Sequence, residues 1–360
     1  MEEEKIMLPG QTPDGNWILS VLVKRSYLIK PDKACERTQA KKCVKGDSFY
    51  GDPKNTSVEF ESDLVPFKLA TDIVFNGLAY VPDTRRKVSK LIASLIVGQY
   101  RKEILVIGDR TVVFNRLRPP TFTEPQPFIQ MPIRYERAYG GIDIYSVPNN
   151  AYPYPRNPIG TGFVIKNTKA SVQHLKLPNI EDPKAPLIPE KLIVGKFDSW
   201  TQQPEPQGLG WYHKCYQPRA EKAGILPLDQ IHADEMREAY LSNVPKQEQA
   251  DYDSIQLPKM NFKFFNGAST GLSVPYLQGD EKVTLLNLDA NQQRFSFWLP
   301  SDKPEINMDI GQGAKPLQVV LHTLLIRQID NQIDLVWRGA MPYPGPQWLP
   351  QMKHLKIEIQ

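Results

Sequence analysis

Proline placement sets the tightest limit on what this chain can fold into. It carries 33 prolines in 360 residues. Between Tyr145 and Ala220 they recur as Pro148, Pro153, Pro155 and Pro158, then Pro178, Pro183, Pro186 and Pro189, then Pro204, Pro206 and Pro218. A proline fixes φ and donates no N–H, so neither a helix interior nor a central strand passes through it. No long regular element can be drawn here. Long ordered loops packed over a sheet are predicted instead, because Trp200, Trp211, Tyr212 and Tyr216 in the same stretch need burial. Such loops in a compact protein are usually functional. A further run, Pro119, Pro120, Pro125 and Pro127, reads as an extended segment.

Outside these runs the pattern is that of strands. With 41% of residues apolar, the chain is not disordered. Trp17–Ile29, Val58–Phe60, Asp72–Val81 and Thr111–Asn115 are rich in β-branched and aromatic residues. Leu91–Tyr100 mimics a helix face, but its β-branched content and the following Ile104–Ile107 favour a hairpin. Strands return at Val283–Leu288, Arg294–Leu299 and Gln318–Gln328, the last turning at Asp330-Asn331 into Gln332–Arg338. One helix is predicted at Leu228–Leu241, with Asp229 as N-cap, and a second short one after Pro258 with Phe262, Phe264 and Phe265. The expected fold is mainly β: many short antiparallel strands in sandwich- or barrel-like sheets, long Pro/Gly-rich loops, and one or two short helices. Residues 1–120 and 121–360 form two regions, or one continuous domain if the tail strands rejoin the first sheet.

Charge is nearly balanced, 44 Lys and Arg against 40 Asp and Glu, so no preference for nucleic acid or membrane follows. The basic stretch Lys30–Lys45 lacks the aromatic side chains that stack on bases. It reads as a solvated loop, or second as a rim for an acidic protein partner. Cys35, Cys43 and Cys215 are too few and odd in number for a disulfide framework. The acidic start lacks signal-peptide features, and L-I-A-S-L-I-V near residue 91 is far too short to span a bilayer. A cytoplasmic location is expected.

Catalytic patterns are weak. Gly267-Ala268-Ser269-Thr270-Gly271 fits the nucleophile-elbow spacing, but that chemistry needs a strand before the serine and a helix after it. Here the order reads reversed, and a chance turn is expected. Gly160-Thr161-Gly162 lacks the rest of a nucleotide loop. His174, His213, His232, His322 and His354 never fall at metal spacing. Glu136, Asp143 and Glu181 are candidates for a glycosidase pair. Glu136, however, lies beside Arg134 and Arg137, and a structural ion pair would hold its pKa down, opposite to a general acid's need. No cofactor, metal or small-molecule substrate is expected.

The most distinctive stretch is Phe128–Phe163. It reads F-I-Q-M-P-I-R-Y-E-R-A-Y-G-G-I-D and then N-P-I-G-T-G-F: an alternating segment, three charges beside two tyrosines, and glycines that permit φ > 0. With L-P-N-I-E at Leu177–Glu181 it resembles a bacterial family of effector adaptors of the type VI secretion system. Asp72–Pro82, Ile104–Arg110, Leu277–Leu288 and His322–Gly339 match in the same order, spanning most of the chain. That resemblance implies a non-enzymatic protein that holds an effector, a PAAR-type tip or the spike protein VgrG for loading. Its expected recognition surface comprises Arg134, Tyr135, Glu136, Arg137, Tyr139, Gly140, Gly141, Asn157, Gly160, Gly162 and Trp211, residue types that interfaces favour or turns require. The competing readings are that the motif merely locks the fold, that the protein is a hydrolytic β enzyme using Glu136 and Asp143, or that it is a structural part of the spike.

Overall fold

Two strands far apart in sequence, Trp17–Leu28 and Gln332–Pro342, pair antiparallel from Ile18 opposite Pro342 to Leu28 opposite Gln332. They form the centre of the larger sheet in this computed structural model. It describes residues 3–83, 85–114, 119–146, 151–165, 168–173, 175–192, 203–223, 261–311, 313–346 and 355–360. The larger sheet runs Glu4–Gln11, Trp17–Leu28, Gln332–Pro342, Gln318–Arg327, Thr71–Asn76 and Ser273–Val274, with Glu36–Thr38 added beside the second strand. Its pairs are antiparallel except Gln318–Arg327 with Thr71–Asn76, which is parallel. That pair joins segments so distant in sequence that no hairpin constrains their direction.

The second sheet is antiparallel, in the order Ile180–Glu181, Tyr100–Ile107, Lys90–Val97, Lys282–Leu286 and Arg294–Trp298. Its first hairpin turns at Gly98, which takes φ 55°, so the strand reading of Leu91–Tyr100 is correct. Neither sheet closes into a barrel. One apolar cluster takes Leu19, Val23, Phe75, Leu324 and Trp337 from the larger sheet and Leu95, Ile104, Val283 and Phe297 from the smaller. Burial of those side chains, about 1.5–3 kcal/mol for each large one, is what holds the two sheets together.

The described part of the proline-rich middle has its own small core, in which Tyr139, Tyr154, Phe163, Val172, Leu177 and Leu187 pack together. Only single-turn helices occur among the described residues, including the 3-10 turn Phe262–Phe265 expected after Pro258. The predicted helix Leu228–Leu241, Trp200, and three of the histidines (His174, His232, His354) lie outside the described residues. None of the described helices is long and apolar enough to cross a membrane.

The basic stretch Lys30–Lys45 departs from expectation. Instead of a free loop it contributes the strand Glu36–Thr38, and the Cys35 amide donates to the Trp298 carbonyl at 2.9 Å. Arg37 meets Glu3 at 3.0 Å. The apolar residues Cys35 and Cys43, both buried, draw the segment inward and leave Lys33, Lys41, Lys42 and Lys45 exposed. All three cysteines are free thiols, and burial pushes those of Cys35 and Cys43 up to about 12.

Candidate functional site

The Arg-Tyr-Glu-Arg segment forms a single 3-10 turn, Tyr135–Arg137, leading into Tyr139–Gly140. That pair runs parallel to Thr161–Gly162, so the two glycine-rich halves of the motif lie side by side. Asn157 ties them together. It is fully buried, and its Nδ2 donates to the Tyr135 carbonyl at 2.7 Å and the Tyr139 carbonyl at 3.1 Å. Its own carbonyl accepts from the Gly141 amide at 2.9 Å. The chains approach so closely that a Cβ on Gly140 would stand 2.1 Å from the Asn157 carbonyl oxygen, at φ 151°. A Cβ on Gly160 would meet the Ala138 carbonyl at 2.7 Å, and one on Gly162 would meet Pro178 at 2.9 Å. The corner is built from backbone contact and admits no side chain there.

The aromatic members of the motif face inward. Tyr135 is 4% exposed, its hydroxyl 2.6 Å from Ser269 Oγ and its ring edge-on to Tyr212. Tyr139 packs edge-on against Tyr154 and Phe163. Burial raises both phenols well above their usual value, with the hydrogen bond to Ser269 opposing this at Tyr135, so both stay neutral. Trp211 is buried as well, bridging to Ala268 under the Lys68 ammonium.

The charged members part company, and the expected ion pair of Glu136 with its neighbouring arginines does not form. The Glu136 carboxylate accepts from the Ser57 amide at 2.9 Å and from the Ser57 hydroxyl. Arg137 turns to Asn179 Oδ1 at 2.9 Å. Arg134 packs over the Tyr50 ring, its guanidinium carbon 3.7 Å from the ring centroid. A 3-10 turn places residues three apart on one side, which separates Arg134 from Glu136 and sends each to a different neighbour.

Arg134 opens onto a surface cleft of about 240 Å³, lined also by Tyr50, Glu59, Phe60, Leu78 and Ile329. The cleft's other cation, Arg327, is neutralised by Asp330 and Asp334. Among the described residues no carboxylate reaches Arg134 within ion-pair distance; Glu59 comes near enough only for its charge to be felt. Burial raises the Glu59 carboxyl and Arg134 opposes that rise.

A second network lies beneath the Gly267–Gly271 turn. Asp72 accepts from Lys68 Nζ at 2.7 Å, Ser273 Oγ at 2.7 Å, Asn266 Nδ2 at 3.1 Å and the Gly267 amide at 3.1 Å. Ser269 is buried, with Oγ donating to the Gly210 carbonyl at 3.0 Å. A 3-10 turn precedes it and the strand Ser273–Val274 follows, so the nucleophile-elbow context is missing. His322 Nε2 accepts from the Lys68 amide at 3.3 Å, and its strand is irregular between Leu321 and Thr323.

The remaining carboxylate candidates are each held by local donors. Asp143 takes the amides of Tyr145, Ser146 and Ile165, and Glu181 takes Arg110 and the Leu187 amide. No cluster of His, Cys, Asp or Glu suited to a metal occurs among the described residues. Sequence reasoning missed Tyr50, Ser57 and Asp72. For Asp72 a signal existed: an acid at the head of the apolar run Asp72–Phe75, four residues after a lysine, reads as a buried ion pair. Tyr50 and Ser57 left none, since their contacts cross more than seventy residues of chain.

The chain belongs to a bacterial family: the family model described as "Uncharacterized protein conserved in bacteria (DUF2169)" matches residues 14–338. That span includes every motif of the corner and the Asp72 network. No curated protein and no solved structure matches the chain.

Proposed function

We propose that this protein is a non-enzymatic adaptor of the type VI secretion system, which binds an effector, a PAAR-type tip or the VgrG spike in the cytoplasm and assists loading for export. The carrying observation is Arg134 laid on Tyr50 at an open cleft, on a corner that buried Asn157, Tyr135 and Tyr139 hold rigid. Arginine and tyrosine are the residues that dominate protein–protein binding energy, and a rigid platform loses little entropy on docking. The order in which the motif segments fall along the chain adds the family resemblance to this. Of the expected recognition residues, Arg134 and the half-exposed Arg137 are assigned to the partner. Tyr135, Tyr139, Asn157, Trp211 and the four glycines act from beneath by fixing the corner.

Purification of the tagged full-length protein from its host, under conditions that express the secretion genes, tests this by quantitative mass spectrometry. Enrichment of one toxin-like effector with a tip or spike protein is the expected result, with the adaptor itself remaining in the cell. No secretion component above background, or export of the protein with the spike, would overturn the reading.

A further inference from the structure

Resting on the adaptor reading, we infer that the Arg134 cleft is a receptor for an aspartate or glutamate side chain of the protein partner, with an apolar partner residue seated beside it. Three observations converge. The guanidinium is held over the Tyr50 ring at 3.7 Å, which fixes its place while leaving it without an ion-pair or hydrogen-bond partner among the described residues. A planar, pre-positioned fork is the geometry that binds a carboxylate by two parallel hydrogen bonds. The cleft's other cation is already engaged: Arg327 is paired with Asp330 and Asp334, so Arg134 is the cation left to a ligand.

The remaining wall is apolar, with Phe60 and Leu78 half-buried and Ile329 69% exposed at the rim. This favours an acidic residue next to a leucine- or phenylalanine-like one. Phosphate is disfavoured, because a dianion would face the unpaired Glu59 carboxylate in the same cleft. Nucleic acid is disfavoured for the same reason. Glu59 itself is a competitor for Arg134, lying outside pairing distance yet close enough to act on it electrostatically. Its removal should strengthen the site, a consequence that a merely structural Arg134 would not have.

The probe is a synthetic pool of randomised hexapeptides amidated at the C-terminus, passed over the immobilised full-length protein and sequenced by mass spectrometry. Retained peptides should be enriched in Asp or Glu adjacent to a large apolar residue. Arg134→Gln should weaken a selected peptide about tenfold or more, Arg134→Lys by less, and Glu59→Gln should tighten it severalfold. Melting curves of the variants check the fold, and the Arg134 side chain is seated on Tyr50. Enrichment without acidic residues, retention unchanged in Arg134→Gln, or retention only by a free-acid pool would each overturn the inference. The two proposals fail separately. Secretion partners recovered equally by wild type and Arg134→Gln leave the adaptor and remove the carboxylate site. Acidic peptides retained while no secretion component co-purifies do the reverse.

Discussion

Lys68 and Asp72 form an ion pair at 2.7 Å in which the side chains are 5% and 0% exposed. Burial alone would raise the Asp72 carboxyl, but Lys68, Ser273 and Asn266 together pull it below its usual value. Removing one partner leaves an uncompensated charge in a buried site, a loss of about 3–5 kcal/mol. Asp72→Asn is therefore expected to lower the urea midpoint sharply at unchanged slope. In Lys68→Met/Asp72→Leu the loss should be smaller than the sum of the single losses, yet still present, because the Gly267 and Ala268 amides lose their acceptor. A double-mutant cycle measures the difference.

Two histidines should weaken the fold in acid before Asp72 titrates. Burial, with Arg338 and Lys68 nearby, holds His322 far below its usual value, and burial takes His213 down to about 4. Both are neutral when folded but bind a proton near pH 6.5 when unfolded. As pH falls below about 6.5, the unfolded state gains protons first, and His322 alone contributes a loss of about 1.4 kcal/mol per pH unit. The lowered Asp72 contributes stability above its unfolded value, near 3.9, and that contribution fades only below it. Urea melts between pH 7 and 5 should show this slope, and His322→Gln should make it shallower by one proton.

Gly140 and Gly15 offer a matched comparison of what a methyl group costs. Both have positive φ, 151° and 80°, but Gly15 has nothing within 4 Å of an added Cβ, whereas Gly140 faces the Asn157 carbonyl at 2.1 Å. Gly15→Ala should cost about 1 kcal/mol from backbone strain alone. Gly140→Ala should cost roughly 3 kcal/mol or more, since strain and overlap with backbone add. Thermal melts of the two variants decide whether the corner is as tightly closed as its geometry says.

How much of this was legible follows from the range of each contact. The hairpin Lys90–Val97/Tyr100–Ile107 and the strands at Lys282–Leu286 and Arg294–Trp298 announce themselves by local composition. The proline spacing pointed to long loops packed over a sheet, but not to the separate small core that the described ones form. The parallel pairing of Thr71–Asn76 with Gln318–Arg327 left no trace, because nothing local records a partner some 250 residues away. At the site, the glycines and Asn157 were visible as a corner. The fate of Arg134 and Glu136 was not: sequence adjacency suggested that they pair, while Tyr50 and Ser57, brought in by the fold, divide them. Charged neighbours in sequence are poor guides wherever a tight turn rotates them apart.

The same distance argument predicts how the chain responds to being cut. Within residues 1–120, Trp17–Leu28 would lose Gln332–Pro342, Thr71–Asn76 would lose Gln318–Arg327, and Lys90–Val97 would lose Lys282–Leu286. Three strands buried in the full chain would become open, apolar edges, which invite aggregation. The hydrophobic cluster would lose Leu324, Leu335, Trp337, Val283 and Phe297, far more than the few kcal/mol by which a domain is stable. The 1–120 fragment expressed alone should be insoluble or melt without a cooperative transition, and co-expression with 121–360 should restore a soluble complex. A sigmoidal urea transition for the isolated fragment would show that it holds a core the shared cluster does not require.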